Sequence, residues 1–399
     1  MKLTPFQEKL VLLLLFLVLF ALETVVAQRY LTSQVPGAND FYSRWHGAKA
    51  LLLEGRDPYG LDVTAEIQPV IGIDPSEVGR GGFAYPLPVI FFFWPLVYLP
   101  YDWTQAIWLI VLQWLAVGTA IALLGWKRWQ PKPAIALGVL LAALLFYPIT
   151  RTIFLGQFTL HVTFFVVMAL WLLVRGRDGW AGIFLAMTCI KPQMVIFIGP
   201  WLLLWAIGQQ RWRFVGGLLG GGVTLLVTSL LILPRWPISF FEDVQRYSQV
   251  AGGRNPLALL LETLWPAYPE PVRYILAAIL VGVMLYTWWR GWRDSGSLAE
   301  RALLWTITVS LIITFQTGTT NQVLLVIPFF AWWLSLKERA GMPIAAVALV
   351  SFELILWVLF FTTLSGNYEN PLLFLPLPFF TLIVLLVQAW NQRRLAPGR

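Results

Sequence analysis

The chain has 399 residues, 58% of them hydrophobic and only 12% charged, whereas a soluble domain keeps about a quarter of its residues charged. Apolar runs long enough to cross a bilayer, about 20 residues as helix, recur from Leu10 to Trp390. A soluble enzyme is therefore excluded, and one integral membrane domain over residues 1–399 is expected. The net charge of +8 would suggest nucleic acid in a soluble protein. Here Lys and Arg gather in short segments between apolar runs, as the positive-inside rule expects, so no nucleic-acid partner is predicted. The single cysteine, Cys189, lies in an apolar run and cannot make an intrachain disulfide.

Leu10 to Ala27 is apolar apart from Glu23 and Thr24, which predicts an uncleaved first span with the N-terminus inside. Later spans are expected near 86–101, 103–125, 134–150, 157–174, 180–207 and 214–233. Five more follow near 273–290, 298–316, 322–336, 342–363 and 372–390, giving about twelve with both ends cytoplasmic. In the second half Arg290, Arg293, Lys337, Arg339, Arg393 and Arg394 fall on one side, which supports that orientation. In the first half this count leaves Lys127, Arg128, Lys132, Arg175 and Arg177 outside. A re-entrant 85–100 together with a split of 180–207 at Lys191-Pro192 would return them to the cytoplasm; twelve spans remain the expectation.

Two long external segments result, 28–84 and 234–272, and polar chemistry is expected there. Asn39-Asp40 opens a helical pattern in which Phe41, Trp45, Ala48 and Leu52 recur at spacings of three and four, with Gly55 as the stop. Such a helix suits the membrane interface. Asp40 is open to two readings: an ordinary helix N-cap, or a carboxylate held where lipid-borne and aqueous substrates meet. Asp57-Pro58-Tyr59 and Phe83-Ala84-Tyr85-Pro86-Leu87-Pro88 bracket the loop and suit a lid, an interfacial anchor or a purely structural corner.

The strings Asn39-Asp40-Phe41-Tyr42, Gly55-Arg56-Asp57-Pro58-Tyr59, Phe83-Ala84-Tyr85-Pro86-Leu87 and Pro95-Leu96, followed by Leu155-Gly156-Gln157, Lys191-Pro192 and Arg211-Trp212, resemble glycosyltransferase family 87 in order and approximate spacing, covering the chain to about residue 336. That family comprises membrane mannosyltransferases that use a polyprenyl-phosphate sugar donor. The resemblance implies an all-α polytopic membrane protein with a GT-C-type bundle of about 12 transmembrane helices, whose external loop carries an interfacial amphipathic helix and the catalytic aspartate. Asp40 matches that aspartate. A carboxylate there takes the acceptor proton while cations or backbone donors stabilise the departing phosphate, with inversion at the anomeric carbon. The implied partners are the polyprenyl-phosphate donor, a lipid or glycan acceptor, and membrane lipids. The chain departs from the family before residue 322, where Trp and His are common: it reads Thr317-Gly318-Thr319-Thr320-Asn321-Gln322, and Asn321 supplies only a neutral hydrogen bond.

External cations that suit a phosphate leaving group are Arg44, Arg56, Arg80, Arg235, Arg246, Arg254 and Arg273. Arg80, Arg246 and Arg254, with Lys191 and Gln157, are the candidate donor-phosphate residues. His46, Tyr85 and Asn321 are the acceptor or positioning candidates, although a lone His is more often a structural residue. Lys191 and Glu353 lie in apolar runs, where an ionisable group is costly and points to function by default; for Glu353 a satisfied buried carboxyl is expected. Arg151 and Gln157 face the active site or the cytoplasm according to the topology. No nucleotide-binding Gly-rich loop, Cys/His metal cluster or independent Ser-His-Asp pattern is evident, so no cofactor and no essential metal is expected. The expected activity is a glycosyltransferase, a mannosyltransferase by resemblance, on the extracytoplasmic side of a cell membrane. A lipid-linked sugar transporter or flippase is the alternative, and a noncatalytic envelope scaffold a third reading.

Overall fold

The computed structural model describes residues 4–35, 37–74, 76–250, 255–315, 317–365 and 369–395, with backbone alone at 247, 249–250 and 392–395. The described residues are organised as helices. In chain order they are α1 (Pro5–Ala27), α2 (Asn39–Glu54), α3 (Leu61–Ile67), α4 (Tyr101–Trp126), α5 (Pro133–Leu145), α6 (Tyr147–Leu155), α7 (Thr159–Val174), α8 (Asp178–Ala186) and α9 (Ile198–Gly208). Then come α10 (Trp212–Ile232), α11 (Trp236–Val250), α12 (Pro256–Leu264), α13 (Glu270–Gly291), α14 (Ser297–Ile313), α15 (Val326–Ala340), α16 (Met342–Thr363) and α17 (Pro376–Leu395).

Among the described residues six helices are long and apolar enough to cross a membrane: Pro5–Thr32, Tyr101–Trp126, Trp212–Ile232, Glu270–Gly291, Met342–Thr363 and Pro371–Asn391. The pair α5 and α6, bent by 56°, makes a seventh if it is one span. Thr159–Val174, Asp178–Ile190 and Ile198–Gly208 are apolar but shorter. This is a multi-pass membrane protein whose described residues hold fewer full-length apolar helices than the twelve spans expected, and two of the expected spans break at prolines. Pro86, Pro88, Pro95 and Pro100 punctuate the expected span 86–101, which folds instead as two 3-10 helices, Leu87–Phe92 and Trp94–Tyr98. The expected span 180–207 breaks after α8 into short 3-10 turns, Met187–Ile190 and Pro192–Met194, with Lys191 in a non-helical conformation between them. Proline donates no amide hydrogen bond and drives the preceding residue out of the helical region.

The chain divides into two compact units. One comprises residues 1–115, 153–157 and 235–251. Most of the apolar side chains of α1 are exposed, as for a helix that meets lipid, and Glu23 within it accepts from Trp114 Nε1 at 2.9 Å. Helix α2 packs on α3 and on the 94–98 turn, where Trp45 Nε1 donates to Leu96 O at 3.0 Å. Ala50, Val63 and Ile67 form a buried cluster beneath Tyr42 and Ile71.

The other unit comprises residues 116–152, 158–234 and 252–399. Its central element is α14, buried from Ala302 to Ile312 and packed by α9, α12, α13, α15 and α17. Helices α8 and α10 approach through glycine: a Cβ on Gly182 would lie 2.2 Å from Phe214 O, and one on Gly217 would lie 2.1 Å from Gly179 O. Small residues allow such backbone contact between helices in a bilayer. Glu353, expected to be satisfied, has its Oε1 buried without a hydrogen-bond partner among the described residues.

Candidate active site

The site in the first unit begins at an uncommon backbone conformation. Ala38 adopts φ 52° and ψ 46°, a left-handed conformation that a residue with a Cβ visits at some cost. Tyr101 holds it there, its hydroxyl donating to Gly37 O at 2.8 Å and Ala38 O at 3.1 Å. Helix α2 starts immediately afterwards, with Phe41 N and Tyr42 N both donating to Ala38 O. The N-cap position is thus taken by Ala38, which makes no side-chain capping bond. Asp40 lies inside the first turn, so the ordinary N-cap reading of this aspartate is set aside.

Gln157 reaches Asp40 because Gly156 precedes it. Gly156 has φ +71°, and a Cβ on it would lie 2.7 Å from Phe41 Cβ and 2.9 Å from Ala38 Cβ. Trp108 stacks on Phe41 with ring centroids 4.3 Å apart and donates from Nε1 to Gly156 O at 2.9 Å. The backbone so pinned directs Gln157 Nε2 to Oδ2 of Asp40 at 2.7 Å, and Gln157 Oε1 accepts from the Tyr85 hydroxyl at 2.9 Å. Gln157, expected to meet phosphate, therefore orients the carboxylate.

Arg44, one helical turn after Asp40, donates to the Asp40 backbone oxygen at 2.8 Å. Its Nη1 stands 4.0 Å from Asp40 Oδ1, and its guanidinium lies 4.3 Å from the centre of the Tyr85 ring. The Arg44 side chain is 10% exposed and that of Asp40 34%. Arg44 Nε is buried without a hydrogen-bond partner among the described residues. The result is a carboxylate with one oxygen fixed by an amide, the other opposite a largely desolvated cation, and an open side.

The turn that carries Tyr85 is held from two directions. Ala84 has φ +46°, and its amide donates to Oδ2 of Asp243 at 2.9 Å, while the Tyr59 hydroxyl donates to Tyr85 O at 2.8 Å. Asp243, on α11, is fully buried. Burial pushes its carboxyl above the usual range, opposed by the Ala84 amide and the Arg246 and Arg44 cations. Burial likewise raises the Tyr59 hydroxyl, aided by the negative charges of Asp243 and Asp57. Arg246 Nη2 is 3.0 Å from Tyr59 O and 3.5 Å from Asp243 Oδ1, while its Nε is buried without a hydrogen-bond partner among the described residues. Through Nη2 it braces this corner.

His46 points elsewhere. Six residues beyond Asp40 it has turned about 240° around the helix, and its Nε2 is 2.8 Å from Glu66 Oε2. Glu66 joins Glu54 and Asp62 around Arg56 at 2.7 to 2.9 Å. Arg80 pairs with Glu77. Arg254 lies outside the described residues.

In the second unit Lys191 is buried at the break between α8 and α9, and Asn321 is buried at the start of the 3-10 helix Asn321–Leu325. Arg151 Nε is 3.8 Å from Glu369 Oε2, and Oε1 of that glutamate accepts from Tyr147 at 2.7 Å and from Thr319. Sequence reasoning missed Asp243 and Glu369. Asp243 carried one weak signal, an acid in an amphipathic external stretch; Glu369 carried none. No group of three or more His, Cys, Asp or Glu side chains placed to hold a metal occurs among the described residues.

Fold and site define a multi-pass membrane protein that presents an oriented, part-exposed carboxylate at the start of a loop helix. The family model described as glycosyltransferase family 87 matches residues 83–314, more than half of the chain, and the protein belongs to that family. It is a membrane glycosyltransferase. The matched region contains Tyr85, Gln157, Lys191, Arg246 and Arg254; Asp40, His46, Arg80 and Asn321 lie outside it. Comparison with curated proteins and with solved structures gave no match.

Proposed function

We propose that the enzyme transfers a sugar, mannose by family resemblance, from a polyprenyl-phosphate donor to a hydroxyl of a lipid or glycan acceptor, and that Asp40 is its general base. The acceptor oxygen bonds to the anomeric carbon as its proton passes to Asp40 Oδ1. The bond from that carbon to the phosphate oxygen breaks on the opposite face, and its electron pair leaves with the lipid phosphate. Configuration inverts. The observation that carries the reading is the bond from Gln157 to Oδ2 of Asp40, which fixes one oxygen and leaves Oδ1 for a substrate proton.

Lys191 is the cation proposed for the leaving phosphate, supported by its place at a helix break in an otherwise apolar stretch and by the resemblance that includes Lys191-Pro192. The reaction is placed on the extracytoplasmic face of the cell membrane, with 28–84 as the catalytic loop. In support, the breaks at 86–100 and 187–197 match the re-entrant and split reading, under which Lys127, Arg128, Lys132, Arg175 and Arg177 would lie in the cytoplasm.

Membranes supplied with radiolabelled polyprenyl-phosphate mannose test the reading. Label should pass to lipid or glycan with wild-type protein and not with Asp40→Asn at equal abundance. Wild-type transfer by Asp40→Asn defeats the base assignment, label carried across the membrane without bond formation favours a transporter, and transfer only from another polyprenyl-phosphate sugar corrects the donor.

A further inference from the structure

We infer that Asp243 is a positioning residue for the Asp40 carboxylate, acting through the Ala84 amide, Tyr85 and Gln157. The inference rests on the reading of Asp40 as the base. Asp243 is fully buried, and a carboxylate that far from water persists only where hydrogen bonds or counter-charges compensate it. Its partners are the Ala84 amide at 2.9 Å and Arg246 at 3.5 Å. The space it occupies is made by Gly82, where a Cβ would lie 3.3 Å from Asp243 Oδ1 and 2.9 Å from Thr64 Oγ1.

The Ala84 bond sets the direction of Tyr85, its neighbour in the chain. Ala84 is left-handed at φ +46°, a conformation that persists in a non-glycine residue only when its surroundings enforce it. Tyr85 is held by its carbonyl through Tyr59 and directs its hydroxyl to Gln157 Oε1. An amide side chain that accepts at Oε1 and donates at Nε2 has its orientation fixed. The Asp40 carboxylate, which only accepts, decides that Gln157 presents its N–H, and the Tyr85 hydroxyl holds the amide in place from its other end. With Asp243 removed, the Ala84 amide loses its acceptor, the turn relaxes, and the Tyr85 hydroxyl no longer holds Gln157 against Asp40.

Asp243→Ala, Asp243→Asn, Tyr85→Phe and the double variant Asp243→Ala/Tyr85→Phe are assayed in the same membranes. Asp243→Ala should lower kcat by about tenfold to a hundredfold, the scale of losing a hydrogen bond to a charged group, and change the donor KM by less than about threefold. Asp243→Asn retains an oxygen for the Ala84 amide and should recover most of kcat. The double variant should lose no more than the worse single one, because both act on one relay. Should Asp243→Ala not accumulate, Asp243→Ser leaves the amide without an acceptor in reach while keeping a polar side chain, and takes its place. Wild-type transfer by the Ala or Ser variant, a change confined to KM, or independent losses in the double variant each overturn the inference. If Asp40→Asn retains transfer, the failure lies instead with the base assignment.

Discussion

Gln157 Nε2 donates to Asp40 Oδ2 at 2.7 Å, although 117 positions of sequence separate the two residues. The bond gives Leu155-Gly156-Gln157 a physical meaning: the glycine admits the close approach and the glutamine makes the contact.

Substituting Gly156 should therefore be costly at the site. In Gly156→Ala the new Cβ meets Phe41 and Ala38 at 2.7 and 2.9 Å, and the backbone is held at a φ disfavoured for alanine. About 1–3 kcal/mol of strain is expected. Thermal unfolding in detergent should show a lowered midpoint, and transfer should fall more than stability does.

Gln157 itself separates orientation from charge. Gln157→Leu removes the donor and should reduce kcat by about tenfold to a hundredfold. Gln157→Glu replaces the donor with a second carboxylate and sets like charge against like charge at Asp40. Measured at equal abundance, kcat should fall further in the Glu variant than in the Leu variant.

His46 predicts a contrast. Its bond is to Glu66, on a face of α2 turned away from Asp40, so His46→Gln should retain transfer within about twofold, the range typical of substitutions away from core or site. A loss comparable to that of Asp40→Asn, measured at equal abundance, would restore it to the reaction.

The Arg56 cluster should confer an acid-side dependence. Hydrogen bonds from Arg56 hold the Asp62 and Glu66 carboxyls below their usual range. For groups with a lowered folded value, the stabilisation is present above the ordinary carboxylate range, about pH 4, and is lost as pH falls through the lowered value. Exposure of these side chains keeps the effect small. Limited proteolysis of residues 28–84 should accelerate below about pH 4, and Arg56→Ala should weaken that dependence.

The multi-pass class was legible from hydropathy, and α2 from its apolar spacing, because both are local properties of the chain. The pairing of Asp40 with Arg44 follows from helical spacing alone, one turn apart on a shared face. The number of full-length spans was not legible: mean hydropathy records composition and is blind to prolines 86, 88, 95 and 100, which turn an apolar stretch into 3-10 turns.

The sequence by itself determined a membrane-spanning helical chain, its family, and an aspartate at the start of a loop helix. Only tertiary structure decided that Gln157 meets that aspartate, that Tyr85 and Asp243 support Gln157 from behind, and that Glu66 is the partner His46 finds. The reason is physical: the direction of a side chain on a helix is fixed by partners tens or hundreds of positions away, and no local pattern of hydrophobicity or charge encodes which distant donor will meet a given carboxylate.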